Sequence, residues 1–326
     1  MATTATAEPT DGRIFEFTYE ARIGPIEVGR GPVHVFVPLA RSSDEQRVVA
    51  ETVTASIPGS VEREPRYGNR YWHGTVAAST GDAIAVDVVT TVERRVSRSE
   101  PPADPSRPLD AKERAALRAF LDGNERVVVG HPILDPILAE IDRSIPRDDA
   151  SARARATYDW VADHVEYKKI GTGWGNGDTF WACSERYGNC TDFHALFISL
   201  ARTQGIPARF EIGFPVPDDR TEGEIGGYHC WVSFYLPETG WFPIDASEAS
   251  KHPDEREHFY GGHLGDRIHL TTGRDLRLGP DHHGPSLNYF VYPHVEVGGA
   301  PWQGPLSRSF RYREIANRGD RSVSLR

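Results

Sequence analysis

Phe15, Phe17, Tyr19, Ala21 and Ile23 alternate with Glu16, Thr18, Glu20 and Arg22. A period of two predicts a half-buried strand. Further strand-like runs follow from Val33 to Leu39, Val48 to Ile57, Tyr71 to Ala78 and Ala83 to Val96. Turn-rich pieces, Gly24-Pro25 and Gly29-Arg30-Gly31-Pro32, separate the first of them. Several short strands in succession predict an antiparallel sandwich of about one hundred residues. Its alternation carries no chemistry, so it reads as a structural or substrate-flanking module. The Pro-, Ser- and charge-rich stretch from Ser97 to Leu109 reads as a linker.

The period then lengthens. Asp110 caps a helical segment carrying Ala116, Leu117, Phe120 and Leu121, ended by Gly123. Pro132 and Pro136 interrupt the next stretch. Asp149 or Ser151 starts a longer helix with Ala154, Tyr158, Val161 and Val165 on one stripe. The glycine-rich run Gly171 to Asp178 follows. It joins no strand to a helix and lacks the Gly-Lys-Ser/Thr ending of a phosphate cradle, so it reads as a cleft wall. A last helix carries Phe193, Leu196, Phe197, Leu200 and Ala201, stopped by Gly205 and Pro207.

That helix begins at a cysteine. Asn189 is a good N-cap, and Asp192 three residues later completes a capping-box-like start. A thiol in the first turn feels unpaired N–H groups and the positive end of the helix dipole, and both favour thiolate. A buried cysteine acting as a small hydrophobe is the plain alternative for Cys190. Partners decide between them. Tyr228 to Tyr235 reads as a strand, Pro237-Glu238-Thr239-Gly240 as a turn, and Trp241 to Ala246 as the returning strand. With Tyr235 opposite Trp241, His229 and Asp245 share a face as diagonal neighbours. A one-residue slip would separate them. Alone, His229 reads as a satisfied strand histidine and Asp245 as an edge acid. Together with Cys190 they supply nucleophile, base and orienting group. Cys230, next to His229, should point to the opposite face and sit in the core.

Composition narrows the partners. A net charge of -10 over 326 residues argues against a general nucleic-acid binder. No apolar run approaches a membrane span. The first residues lack a secretory signal pattern, which suggests a cytoplasmic protein, or a secreted or periplasmic one if that end is trimmed. Three cysteines are too few for a disulfide scaffold. No C-x-x-C pairing is present, and the histidine-rich pieces (His252, His258, His263, His269, His282, His283) read as surface, so no metal is expected. No calcium loop or other cofactor signature is seen.

The run Gly188 to Phe193, continuing through Leu200-Ala201-Arg202 and Gly205 to Arg209, then Tyr228 to Trp231 and Gly240 to Ala246, resembles the transglutaminase-like superfamily. The likeness covers roughly Ala154 to Leu278, and the preceding sandwich resembles the N-terminal module of bacterial members. It implies an α+β fold: an N-terminal antiparallel β-sandwich, then a papain-like core with the cysteine's helix packed on an antiparallel sheet. The expected layout is a free N-terminus at 1–11, sandwich at 12–97, linker at 98–110, catalytic domain at 111–303 and tail at 304–326. The resemblance carries Cys190 as nucleophile, His229 as base and acid, and Asp245 as orienter. It leaves the oxyanion donor open between Trp174 and Trp181, with Trp174 favoured because its loop can fold over the site. The implied activity is acyl transfer on carboxamides of a protein or peptide substrate, by hydrolysis or to an amine. A non-catalytic peptide- or glycan-binding scaffold and a thiol acetyltransferase are the alternatives. Oligomeric state is not implied.

Overall fold

The computed structural model describes residues 12–142, 145–146 and 148–317. Residues 1–11 and 318–326, where a free N-terminus and the end of a tail are expected, lie outside them. The alternating segment forms the strand Gly12–Ile23, with Phe15, Phe17, Tyr19, Ala21 and Ile23 buried. Val33–Pro38, Gln46–Ala55, Arg70–Val76 and Ile84–Arg95 are strands close to where alternation places them, and Gly59–Arg63 is an added one. They divide between two antiparallel five-stranded sheets. One runs Glu222–Glu224, Leu306–Asn317, Gly12–Ile23, Ile84–Arg95, Gln46–Ala55. The other runs Ala300–Pro301, His294–Val297, Val33–Pro38, Arg70–Val76, Gly59–Arg63.

Both sheets therefore borrow strands from the far end of the chain. The stretch from 304, expected to be a tail, contains the twelve-residue strand Leu306–Asn317, which pairs with the first strand from Arg13 to Ile23. Its alternation is blurred by Arg308, Arg311 and Arg313, which reach Tyr292, Glu20 and Glu16. The expected linker is also packed. Ser97–Arg98 pairs with Gly262–His263, and buried Ser106 bonds to Glu238. A flexible connection is thus not what joins the sheets to the rest.

The third sheet runs Gly240–Ile244, His229–Leu236, Ala208–Pro215, Arg267–Thr272, all antiparallel. It meets the first sheet through aromatic rings. Phe214 packs on Phe17 at 5.4 Å and on Phe310 at 4.2 Å between centroids. Each such pair contributes about 0.5–1.5 kcal/mol beyond simple burial. The helix Cys190–Thr203 lies against this sheet and against the helices Ala150–His164 and Thr179–Glu185. Every residue from Cys190 to Arg202 is buried, including Asp192, His194, Ser199 and Arg202. It is a central helix, enclosed on all sides rather than on one stripe. Among the described residues no helix is long and apolar enough to cross a membrane.

Candidate active site

The start of the cysteine helix is built by its own first turn. Asn189 caps it by accepting from the Thr191 N–H at 2.9 Å, and the Asp192 carboxylate accepts from the Asn189 N–H at 3.0 Å. Asp192 reaches further. It accepts from Gly175 N at 2.6 Å and Gly177 N at 3.0 Å, which fastens the glycine loop to the helix end. Burial raises the Asp192 pKa, and these three N–H donors work against that rise. Glycine is required at two points here. A Cβ on Gly188 would sit 2.1 Å from an Asp192 oxygen, and Gly177 combines φ of +59° with close contact to Thr191 and Arg274.

The hairpin has the register expected from its turn: Tyr235 faces Trp241 and Leu236 faces Gly240. The ladder stops at Val232 and Ile244. Asp245 leaves the strand and caps the helix Ala246–Lys251, accepting from Glu248 N at 3.1 Å. Its other oxygen lies 2.6 Å from His229 Nε2. Ser247 Oγ donates to the capping oxygen at 2.9 Å, and Arg267 Nη1 to the one that meets His229 at 3.3 Å. With Nε2 held by Asp245, His229 lies beside Cys190, close enough for each to shift the other's pKa. As first residue of its helix, Cys190 has an N–H without an intrahelical partner.

The electrostatics favour an ion pair. The Cys230 thiol, donating to the Cys190 sulfur, and His229 beside it pull the Cys190 pKa well below a free thiol's, against the opposing effect of burial. Burial disfavours the His229 cation, but the Asp245 carboxylate and the Cys190 sulfur outweigh it and raise its pKa to about 10. Burial also pushes Asp245 up, yet His229 and His194 hold it well below the usual carboxylate range. Cys183, away from these groups, is pushed by burial up to about 11.

Several expectations need correction. Cys230 is buried, but its thiol does not face away from Cys190. It lies 3.4 Å from His194 Nδ1 and 3.9 Å from Thr191 Oγ1, beside the Cys190 sulfur. Alternation is a weak guide here because His229 is the first residue of its strand, opposite Gly213 at the end of the ladder. Trp174 and Trp181 both have their indole N–H committed. Trp174 donates to Gly171 O at 3.1 Å and Trp181 to Tyr187 O at 2.9 Å. The favoured reading of Trp174 as oxyanion donor therefore finds no free N–H. His263, His269 and His282 are buried rather than surface, while His252, His258 and His283 are exposed.

Sequence reasoning missed His194 and Arg267. His194 stands between Cys230 and Asp245, its Nε2 3.5 Å from Asp245 Oδ1. Arg267 lies over the Trp231 ring at 4.9 Å while reaching Asp245. Neither carries a motif, and only the Phe193-to-Ala201 spacing that places position 194 in a helix was visible. Tyr167, Tyr228, His229, Glu248, Lys251 and Arg267 line a cleft of about 330 Å³ leading to the site. His229, Asp245 and Glu248 offer ligand atoms within 4.8 Å of one another. A cation there would face the Arg267 guanidinium and an Asp245 whose oxygens are already bonded, so this set suits an acid–base pair better than a metal.

Residues 139–246 match the transglutaminase-like superfamily, a span that takes in Cys190, His229 and Asp245. This part of the chain is a transglutaminase-like domain. An uncharacterised protein of Haemophilus influenzae is 24% identical over 95% of this chain and 92% of its own length. The uncharacterised Bacillus subtilis protein YebA is 29% identical over 77 residues, 21% of this chain and 10% of that one. Among solved structures, a Cytophaga hutchinsonii protein proposed to be a cysteine protease superposes with a TM-score of 0.62 at 17% identity, covering 94% of this chain and 91% of that one. The shared fold thus extends over the flanking sheets as well as the core.

Proposed function

We propose that this protein is a cysteine-dependent acyl-transfer enzyme acting on carboxamides of a protein or peptide substrate. The observation that carries the reading is the buried His229–Asp245 contact of 2.6 Å beside a cysteine at a helix start. Cys190 thiolate attacks the carbonyl carbon, and the carbonyl oxygen gathers charge toward the Cys190 N–H. Tyr228 is a candidate second donor. Its hydroxyl accepts from Asn189 Nδ2 at 3.1 Å, lies 2.8 Å from Thr191 Oγ1, and is close enough to Cys190 to feel its charge. His229 gives its proton to the leaving nitrogen, the C–N bond breaks, and a thioester forms on Cys190. His229 then takes a proton from water or from an incoming amine, which attacks the thioester and restores the thiolate. Asp245 holds the imidazole in the productive tautomer and supports its charge.

The test is mass spectrometry of a glutamine- and asparagine-containing peptide library incubated with the protein, with and without a primary amine. Cleavage or deamidation that disappears in Cys190→Ala supports hydrolysis, and amine adducts support transfer. No covalent turnover, together with an unreactive Cys190 toward iodoacetamide at neutral pH, would leave a binding scaffold instead.

A further inference from the structure

The outer face of the second sheet carries an unusual layer. Register places His294, Glu296, His34, Phe36, His73, Tyr71 and Glu62 on one face, while Val33, Val35, Val37 and Trp72 point into the main core. The segment after Leu276 crosses this face, and Leu276, Leu278 and Phe290 pack there on Phe36 and Tyr71 as a separate small cluster. Two imidazoles converge beneath it. His34 Nδ1 lies 3.0 Å from His73 Nε2, and both rings are buried. His73 stacks on Phe36 at 4.5 Å between centroids, with planes 3° apart. Its other nitrogen, Nδ1, lies 2.9 Å from Glu62 Oε1, and Glu62 is itself steadied by the Tyr71 hydroxyl at 2.9 Å. A ring nitrogen of His34, one of His73 and a carboxylate oxygen of Asp281 lie within 4.8 Å of one another.

We propose that His34, His73 and Asp281 bind one divalent transition-metal ion of the zinc class, with Glu62 as the residue that positions His73. Two imidazoles and a carboxylate are a donor set such ions prefer, with a fourth position open on the exposed Asp281 side. His73 Nδ1 lies 2.9 Å from Glu62 and 4.0 Å from Asp281 Oδ2, so Glu62 holds the ring through that nitrogen while Nε2, beside His34 Nδ1, is left for the ion. The adjacent group His282, His294 and Glu296 is a poorer site. His282 Nδ1 accepts from Leu278 N at 3.1 Å, so the ring's proton sits on Nε2, the atom aimed at Glu296. Glu296 is in turn occupied by the N–H groups of His283 and Gly284.

The ion would clip the crossing segment to the sheet through Asp281. That segment and the residues just before it also hold the glycine loop: Asn288 donates to Asn176 O at 2.8 Å, and Arg274 to Gly177 O and Asn176 O at 2.7 Å each. Its role is therefore structural, at a distance from Cys190.

The test titrates Co²⁺ into the full chain after chelator treatment and removal of the chelator. We expect one ion per chain with visible d–d absorption and no thiolate charge-transfer band. Binding should persist in Cys190→Ala and His294→Gln, vanish in His34→Asn, and weaken about tenfold or more in Glu62→Gln. Asp281→Asn changes an exposed residue. It should weaken binding while leaving the unfolding temperature of the metal-free protein unchanged, which separates lost ligation from lost folding. A thiolate charge-transfer band that disappears in Cys190→Ala would place the ion at the cysteine site and overturn the proposal. So would absence of d–d absorption at millimolar Co²⁺, or full binding in Asp281→Asn.

Discussion

At Cys190 the environment is set by side chains from two elements, one strand and the cysteine's own helix. Cys230 donates to the sulfur from one strand, His229 pairs with it from the same strand, and His194 approaches from the cysteine's own helix. Removing the Cys230 donor in Cys230→Ala should move the pH midpoint of Cys190 alkylation upward, because a donor to a sulfur stabilises its anion. An unchanged iodoacetamide profile would show that His229 and the helix start suffice. Cys190 should also be alkylated before Cys183 and Cys230 at acid pH, since burial raises the pKa of both others. Linkage gives a second check. The raised His229 pKa contributes stability that is complete below about 6.5 and lost as pH rises through about 10. The lowered Cys190 pKa contributes stability that is complete above about 9 and lost as pH falls. Between about 6.5 and 9 the two slopes cancel, because folding moves one proton from sulfur to imidazole. Melting temperature should therefore be nearly flat across that window in the wild type and fall with rising pH in Cys190→Ala.

At the scale of elements, two short pieces aim the chemistry. The hairpin places His229, and the departure of Asp245 into a helix cap brings its carboxylate to the ring. Asp245→Asn keeps a capping side chain but removes the charge that supports the imidazolium. It should cost acylation at least about 100-fold while the protein stays folded. Near-normal rates of thioester formation with an activated peptide would make Asp245 an ordinary cap. The glycine loop depends on Asp192, which holds Gly175 and Gly177. Asp192→Ala should cost about 1–3 kcal/mol through unpaired buried N–H groups and open the 171–178 loop to protease. Limited proteolysis followed by mass mapping reads that directly.

Across the whole molecule, the first and last described strands pair with each other. Leu306–Asn317 lies between Gly12–Ile23 and Glu222–Glu224, and Phe310 packs on Phe214 and Tyr19. Ending the chain at 305 should therefore remove cooperative unfolding rather than trim a tail, because a long edge would be bared and the aromatic contact between sheets lost. A sharp, unchanged calorimetric transition in that truncation would contradict this reading.

How far the chain could be read without its structure depends on the range of the forces involved. Strand alternation at Phe15 to Ile23, the Asn189 cap with Asp192, and the Tyr235–Trp241 register are local, set by backbone sterics and by hydrogen bonds a few residues apart. They are written in short stretches of sequence, and with them the pairing of His229 and Asp245. What packing alone decided are contacts between residues far apart in the chain. The approach of Cys230 to the sulfur, the contacts of His194 with Cys230 and Asp245, the hold of Arg267 on Asp245, the capture of Leu306–Asn317 by the first strand, and the convergence of His34, His73 and Asp281 join segments some two dozen to hundreds of residues apart. No local period encodes such meetings, because they follow from how buried faces fit once the elements exist.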